Sequence, residues 1–447
     1  MVRRTGRRLT EEGPARRVVR TWHRSVTRPL PTPPDRLRVG PLRADAFRAA
    51  PRSERLTSQL GIALGMAVVV CFGTGLLSHE IQHPDWWFSW PSRPVGLYRV
   101  TQGVHVASGL VAVPLLLVKL WSVYPRLFEW PPVRDLPHLL SRASVAVLVP
   151  TALFQLVTGV LNTARWYSPM PFFFTVAHHW TAWILFGALL VHLGVKAPVI
   201  RRALGAPGPA HPAGPRHDNR TADRPGTTDD PGAADLRTAE GQDGANRPST
   251  DPTRRGLLTA VAATTGTLTL VTVGQTVRPL AGLDVLGPRR PDLGPQGLPV
   301  NKSAVEADVT AAALSPHYRL RIEGPRPATL ARAELAALPQ HRVALPIACV
   351  EGWSATAHWT GVRVRDLLDL VGAPPHSRVR VESLQPSGLY RTSVLPAGHA
   401  ADPLTLLALR IGDADLDLDH GYPCRLIAPS LPGVMQTKWV ARLMVLP

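Results

Sequence analysis

The sequence predicts a multidomain protein in which an all-α bundle of transmembrane helices is followed by an α+β domain. Two observations support the bundle and one supports the domain. Apolar segments occur four times, and each exceeds the roughly 20 residues needed to cross a bilayer; they lie near 57–78, 98–121, 143–165 and 172–198. Charged residues and Trp border these segments. Beyond residue 295, short β-leaning segments mixed with a few helices indicate α+β structure.

Changes in composition divide the chain into five predicted regions. The Arg- and Pro-rich start and the Pro/Gly/Asp/Thr-rich middle lack a sustained apolar period, which is typical of disordered segments. A moderately apolar run follows the middle segment. We predict a disordered basic cytoplasmic tail (1–55), a four-helix transmembrane domain (56–200), a disordered cytoplasmic linker (201–253), a fifth span (254–280) and the α+β domain (295–447).

The formal charge is +18, carried mostly by arginines in the tail and in loops beside apolar runs. This is where the positive-inside rule places them, so a membrane protein is favoured over a nucleic-acid-binding one. The aromatic loop 83–90 has no Lys or Arg and suits the outer interface. We therefore expect both ends of the four-helix domain in the cytoplasm and the α+β domain outside, beyond the fifth span.

The fifth segment opens with Thr253-Arg-Arg-Gly-Leu-Leu258. It resembles a twin-arginine export signal placed internally, and an ordinary basic flank before a stop-transfer helix is the alternative. In the last region we predict strands near 318–322, 378–382 and 425–428, and helices near 329–338, 363–372 and 403–409.

Histidines within predicted spans are functional hypotheses by default. His178 and His192 share a face of the fourth span. The fourteen residue steps between them turn a helix through about 1400°, only about 40° short of four whole turns, and rise about 21 Å. His179 is rotated away by about 100°. This arrangement resembles the b-type cytochrome subunits of respiratory oxidoreductases, in which one span binds two haems. The resemblance implies that His105 and His178 hold an outer haem b and that His192 serves an inner one.

The partner of His192 stays open in the sequence. His138 is one candidate, with a position in the loop as the alternative. For each histidine, the other interpretation is a hydrogen-bonded intramembrane side chain without a ligand. His79 and His83 are alternatives as ligands, proton carriers or quinone-site groups. Gly109, one turn from His105, would allow a macrocycle to approach closely.

A second set of motifs lies in the α+β region. Cys349 follows an apolar run and precedes a Gly-Trp pair in the stretch Leu345-Pro-Ile-Ala-Cys-Val-Glu-Gly-Trp-Ser354. The motifs after it are Trp359-Thr-Gly-Val362, Asp366-Leu-Leu368, Ser387-Gly-Leu-Tyr390, His420-Gly-Tyr-Pro-Cys-Arg425 and Lys438-Trp439. Together they resemble the molybdenum-cofactor domain of the sulfite-oxidase family, which includes methionine-sulfoxide reductases.

The resemblance implies a site residue by residue. Cys349 would supply a thiolate to molybdenum and Tyr390 a hydrogen bond to the substrate oxygen. The cofactor-binding residues would be Asn301, His420, Arg425 and Lys438, whose cations suit a pterin phosphate. The alternatives are a small buried cysteine, an ordinary strand tyrosine and solvated charges.

Three observations bear on the substrate and on Cys349. Sulfite-oxidising members carry an Arg just before the family asparagine, where this chain has Val300. We also expect no counterpart here of their C-terminal immunoglobulin-like domain. Both favour the methionine-sulfoxide reductase branch. The chain has three cysteines, too few for a disulfide framework, and a Cys349–Cys424 bridge would consume the proposed metal ligand.

The expected function is electron transfer from membrane quinone through haem b to Mo-molybdopterin, which reduces an extracytoplasmic S-oxide or N-oxide. The alternatives are oxidation of a sulfite-like substrate with electrons delivered to quinone, and a non-catalytic membrane scaffold.

Overall fold

The computed structural model describes residues 54–83, 88–128, 133–204, 254–290 and 292–446. Residues 1–53 of the predicted tail, nearly all of the predicted linker including Thr253, and the middle of the aromatic loop lie outside these residues, as does the side chain of Arg254. The described part has a helical region followed by an α+β domain, which confirms the predicted fold class.

Helices form the first region because its apolar runs are long and uninterrupted. Four of the described helices are long and apolar enough to cross a membrane: α1 (Glu54–Gln82), α2 (Leu97–Val123), α3 (Leu136–Thr163) and α4 (Phe174–Leu204). Helix α1 packs on α2, α3 packs on α4, and α4 closes the ring against α1. Large apolar side chains such as Trp180 and Ile184 are exposed and do not line the space between the helices. These helices are consistent with a multi-pass membrane protein.

Helix α5 (Arg254–Leu270) has 17 residues and packs on α2 outside the ring. Near its start, Val261 contacts Leu115 in the second half of α2. Beyond its end, Thr276 reaches the first half of α2 at Gly103. The helix stops ten residues before the end of the predicted span, and turns with a 3₁₀ helix (Arg278–Leu283) follow. This segment therefore runs antiparallel to α2, and α5 is not among the four described helices that are long and apolar enough to cross a membrane. The fifth crossing stays a prediction.

The α+β domain contains two five-stranded sheets. The strands of the domain are β1 (Arg319–Glu323), β2 (Ala328–Ala331), β3 (His341–Ala348), β4 (Ser354–Arg363), β5 (Arg378–Ser383), β6 (Thr392–Leu395), β7 (Leu406–Ile411), β8 (Ala414–Asp415), β9 (Arg425–Ile427) and β10 (Val440–Leu446). The first sheet has the order β2-β1-β10-β5-β6, in which only the β1–β10 pair is parallel. The second sheet of the domain has the order β3-β4-β7-β8, with β9 also paired to β7. The short helices of the domain are α6 (Thr310–Leu314), α7 (Arg332–Ala337), α8 (Val364–Leu370) and α9 (Ala397–Ala401).

The structure confirms the three predicted strands and the helix near 363–372. The helix near 329–338 is shorter than predicted, because β2 occupies its first residues. The helix near 403–409 was wrong: this run is β7, which lies between β4 and β9 and is buried along almost all its length. A short run that is apolar on all sides has no period to separate a buried strand from a helix.

The hydrophobic core of the α+β domain continues into the ends of the helices. Ile81 near the end of α1 and Tyr98 near the start of α2 belong to the same buried cluster as Leu320 and Val381. Because both regions contribute to one core, the domain sits directly on this end of the bundle.

Candidate functional site

Cys349 lies at the tip of the β3–β4 hairpin. Its backbone N–H donates to Trp353 O at 2.9 Å, and Gly352 N–H donates to Cys349 O at 3.0 Å, which closes a five-residue loop. Gly352 has φ +94°, a conformation that favours glycine. The hairpin therefore holds the sulfur in one place, 2% exposed.

Asn301 holds the sulfur from the other side. Its Nδ2 lies 2.6 Å from Cys349 Sγ, while Trp353 Nε1 and Arg289 Nη2 each donate to Asn301 Oδ1 at 3.1 Å. Two donors on Oδ1 fix the amide so that its NH₂ group faces the sulfur. An amide donor aimed at a sulfur fits a thiolate acceptor.

Burial, with a smaller effect of Glu351, raises the pKa of the Cys349 thiol to about 12. The free sulfur therefore keeps its proton at neutral pH. A bound metal cation deprotonates a coordinating thiol outright. This sulfur is thus suited to act as a single metal ligand and is poorly suited to act as a free nucleophile. The described residues contain no group of three or more His, Cys, Asp or Glu that could hold a metal ion by themselves.

A set of buried cations lies in the same domain. Arg425 is 6% exposed, and its guanidinium lies 5.6 Å from the Trp359 ring centroid. Its Nε has no hydrogen-bond partner among the residues that the structure describes. Lys438 Nζ donates to the carbonyls of Lys302 and Asp419 at 2.6 and 2.7 Å. Among the described residues, neither cation forms an ion pair with a carboxylate. Buried charges that remain unneutralised fit an anionic ligand.

Burial lowers the pKa values of these groups: Arg425 to about 10, Lys438 to about 7 and His420 to about 4. His420 Nε2 lies 2.6 Å from Pro295 O, and its own carbonyl accepts from Arg425 at 3.3 Å. Gly421, with φ +112°, allows the turn to approach, since a Cβ there would lie 3.2 Å from Lys438. The structure therefore brings His420, Arg425 and Lys438 together.

Tyr390 lies between the Cys349 site and the start of α4. It is 37% exposed, and Thr175 near the start of α4 is close enough to affect its hydroxyl. Burial raises the pKa of Tyr390, and the neighbouring Cys349 contributes in the same direction. Its hydroxyl therefore keeps its proton at neutral pH and can serve as a donor.

The predicted site omitted several polar residues. Arg165, from the α3–α4 loop, lies 3.5 Å from Glu351 and donates to Val300 O at 3.1 Å. Arg289 lies 4.0 Å from the other oxygen of Glu351. Glu351 could have been predicted as a site residue, because it lies two residues after Cys349 in the sequence. No sequence pattern could have found Arg165, which is distant in the chain.

In the helical region, His105 and His178 face each other with ring centroids 6.4 Å apart. His105 Nδ1 lies 2.8 Å from Cys71 O, which can only accept, so Nδ1 carries the proton. His178 Nδ1 lies 3.3 Å from Thr158 Oγ1, whose own proton is donated to Phe154 O at 2.6 Å. Both rings are thereby set with Nε2 as the free acceptor, the arrangement of a metal-ligating histidine.

These rings line a cavity of about 1770 Å³ inside the bundle. His192 lines the same cavity, as predicted from its shared face with His178, together with Lys119 and Lys196. Its Nδ1 is buried without a hydrogen-bond partner. His138 Nδ1 accepts from Arg134 N at 3.1 Å in the first turn of α3, so it lies on the helix and not in the loop.

Three other histidines form a separate stack. The ring centroid of His79 lies 3.7 Å from that of His179 and 4.6 Å from that of His83. His179 thus points away from the His105/His178 pair, as its rotation on the helix predicts. Gly109 faces Cys71 Sγ at 3.7 Å from its virtual Cβ, and Gly75 packs on the His105 ring. Cys71, Cys349 and Cys424 are free thiols, so the alternative Cys349–Cys424 bridge is not formed.

Several known proteins are similar to parts of this chain. Residues 306–447 match the family described as the oxidoreductase molybdopterin binding domain. The mitochondrial sulfite oxidase of Drosophila melanogaster is 32% identical over 154 residues, covering 29% of this chain and 27% of that protein. An Azospira oryzae protein, named as subunit YedZ1 of a protein-methionine-sulfoxide reductase, is 35% identical over 112 residues, covering 25% and 42%.

Among solved structures, the sulfane dehydrogenase SoxCD of Paracoccus pantotrophus aligns with a TM-score of 0.28 at 21% identity, over 35% of this chain and 44% of that one. The chain spans less than half the length of each of these relatives. Cys349, Tyr390, His420, Arg425 and Lys438 fall inside the matched family segment, and Asn301 precedes it. The C-terminal domain of this chain is therefore a sulfite-oxidase-like, molybdopterin-binding oxidoreductase domain that follows four apolar helices.

Proposed function

We propose that this protein is a membrane-bound molybdoenzyme that passes electrons from membrane quinol through haem b to a molybdenum centre, which reduces an extracytoplasmic S-oxide or N-oxide. The observation that carries the proposal is the pairing of two sites of different chemistry on one chain. One is a buried thiol close to unneutralised cations. The other is a pair of facing imidazoles at the adjoining end of the helices.

The residues of the α+β domain fit Mo-molybdopterin. Cys349 would ligate the metal, Asn301 would hold the sulfur, and Arg425 and Lys438 would bind the anionic part of the cofactor. The orphaned Nε of buried Arg425 supports this assignment, because a buried donor without a partner is costly unless a ligand satisfies it. When bound, the cofactor supplies a two-electron centre for oxygen-atom transfer.

The imidazole pair fits haem b. A centroid separation of 6.4 Å leaves room for one metal atom bound to two ring nitrogens at about 2 Å each. The hydrogen bonds at both Nδ1 atoms leave Nε2 free as the ligand. The cavity volume also suits a macrocycle. Haem b supplies a one-electron carrier between a quinol and the α+β domain. His192 is a candidate for a second, inner haem.

The reaction balances with these partners. Reduction of an S-oxide to a thioether takes two electrons and two protons and releases water, and oxidation of one quinol to quinone supplies both electrons. Tyr390 keeps its hydroxyl proton and would donate a hydrogen bond to the substrate oxygen. Arg165 and Arg289 hold the Glu351 carboxylate beside the Cys349 loop.

Turnover assays in both directions test this proposal. Detergent-purified protein should oxidise a reduced viologen dye with methionine sulfoxide or trimethylamine N-oxide as acceptor. The same preparation should show little sulfite-dependent reduction of a quinone analogue. The opposite pattern would support the alternative, oxidation of a sulfite-like substrate. Absence of both activities in protein that contains molybdenum would contradict the proposal.

A further inference from the structure

The Cys349 loop is attached to the helices through the carbonyl of its next residue. Val350 O accepts hydrogen bonds from Gln102 Nε2 at 3.1 Å and from Asn162 Nδ2 at 3.2 Å. Gln102 belongs to α2 and Asn162 to α3, so two helices hold one carbonyl. Both side chains are at least nine-tenths buried, at 5% exposure each.

These two side chains lie one turn from the imidazole pair. Gln102 precedes His105 on α2, and Asn162 follows Thr158 on α3, whose Oγ1 holds His178 Nδ1. Residues three or four apart share a helix face. The groups that hold Val350 and the groups that hold the imidazoles therefore occupy the same faces of the same helices.

Two further residues complete this contact. Tyr167 Oη lies 3.0 Å from Asn162 Oδ1 and 3.3 Å from Glu351 Oε1. Arg165 lies 3.5 Å from Glu351 and also donates to the carbonyls of Val300 and Asn301. Its φ of +54° is uncommon outside glycine, so the loop adopts an unfavoured backbone conformation where Arg165 reaches the domain.

The Cys349 loop also packs on α2 next to the imidazoles. A Cβ on Gly352 would lie 2.9 Å from Val106, the neighbour of His105 in sequence. The Cys349 loop thus contacts α2 at the residue next to His105, the proposed haem ligand. We call Gln102, Asn162, Arg165 and Tyr167 the interdomain clamp.

We propose that the interdomain clamp is a permanent electron-transfer junction, which seats the Cys349 loop against the His105/His178 end of the bundle. Its residues are positioning residues, since they act through Val350, Glu351 and Asn301. Electrons would then cross within one chain, at a rate independent of protein concentration, without a docking step between separate proteins. This inference rests on the proposed function, from which it takes the quinol as donor and the S-oxide as acceptor.

The test compares a clamp variant with a matched variant elsewhere in the same interface. Gln102→Met with Asn162→Leu removes both donors to Val350 O at nearly constant volume. Asp402→Asn breaks the ion pair with Arg93, at 2.9 Å between the helical region and the domain, away from Cys349. Haem reduced by quinol would be mixed with substrate, and its reoxidation followed by absorbance over a range of protein concentrations.

The double variant should slow reoxidation by about tenfold to a hundredfold, because small displacements of a reactive group have effects of this size. The ratio of quinol-driven to dye-driven turnover should fall in parallel. Hydrogen exchange of the Val350–Gly352 amides, measured on cofactor-free protein as well, should become faster. Asp402→Asn should leave all three measurements close to wild type.

Three results would overturn the inference. One is wild-type reoxidation in the double variant although loop exchange is faster. Another is an equal slowing in Asp402→Asn, which would assign the effect to the whole interface. The third is a reoxidation rate that rises with protein concentration. A different result would contradict the proposed function itself, namely the absence of molybdenum or haem from wild-type protein. In that case the proposed electron-transfer role of the clamp would fail as well.

Discussion

The two candidate sites adjoin one interface but are built from opposite kinds of groups. In the helices, the Nδ1 atoms of His105 and His178 each hydrogen-bond an uncharged oxygen atom. In the α+β domain, one thiol is accompanied by Arg425 and Lys438, which form no ion pair with a carboxylate in the described part of the chain. The first set suits a metal inside an apolar macrocycle, and the second suits an anionic cofactor. Since the two sets share no residue, each should be removable without loss of the other.

The two ends of the bundle cavity also differ in the groups that line them. Toward the α+β domain, two imidazoles face each other with their tautomers set. In the other half, His192 has a buried Nδ1 without a partner, and Lys119 and Lys196 are its neighbours in the cavity lining. The end that holds His105 and His178 is therefore the better candidate for a bis-histidine haem site than the end that holds His192.

The largest expected effect is that of Cys349→Ser. Loss of the thiolate should lower substrate reduction by more than about 100-fold, because even groups around a metal ligand are worth 10–100-fold. The haem spectrum should be unchanged. Cys424→Ser is the matched control, since Cys424 is buried beside Tyr318 and away from Cys349. Wild-type turnover in Cys349→Ser would refute the thiolate assignment.

His178→Ala should remove the haem and lower quinol-driven turnover by more than about 100-fold, again as loss of a metal ligand. Dye-driven turnover should survive, because the α+β site is intact. The control is His179→Ala, the neighbouring imidazole that stacks on His79 instead. An unchanged haem spectrum in His178→Ala, or its loss in His179→Ala, would contradict the ligand assignment.

A smaller effect concerns pH. Burial lowers the pKa of Lys438 to about 7 in the cofactor-free fold, against about 10.4 in an unfolded chain. The folded state therefore binds fewer protons between these values, and its stability should rise as pH increases from 7 to 10. Anion binding restores the charge, so cofactor affinity should fall above pH 7, by at most about tenfold per pH unit. Lys438→Met should flatten both dependences in fluorescence melting and in reconstitution assays.

The smallest effect is expected from Thr158→Val, which keeps the side-chain shape but removes the acceptor for His178 Nδ1. Haem should be held about tenfold more weakly, the lower end of the range for such partners. Its potential should shift, while molybdenum content stays constant. Haem titration of the cofactor-free variant measures the change. Affinity equal to wild type would show that Thr158 does not fix the ring.

Much of this architecture could be predicted from local patterns. The apolar runs predicted four helices, and alternation predicted β1 and β5, in which Leu320, Ile322, Val379 and Val381 point inward. The strand β7 was misassigned because burial on both faces removes the period. Cys349 and the cation set were found through motif order along the chain.

Contacts between distant segments could not be predicted in this way. Arg165, Asn162 and Gln102 reach the Cys349 loop across the junction of the two regions, and each is an ordinary polar residue at a helix end in the sequence. Their roles follow from how the domain sits on the bundle. That placement depends on a shared core involving Ile81 and Tyr98, which no local period encodes.

The most direct measurement is the molar content of molybdenum and iron per chain in wild-type protein, Cys349→Ser and His178→Ala, purified from a host that makes both cofactors. The account predicts about one molybdenum with one or two irons in wild type, iron without stable molybdenum in Cys349→Ser, and molybdenum with one iron fewer in His178→Ala. Neither metal in the wild-type protein would contradict the account and favour a non-catalytic scaffold.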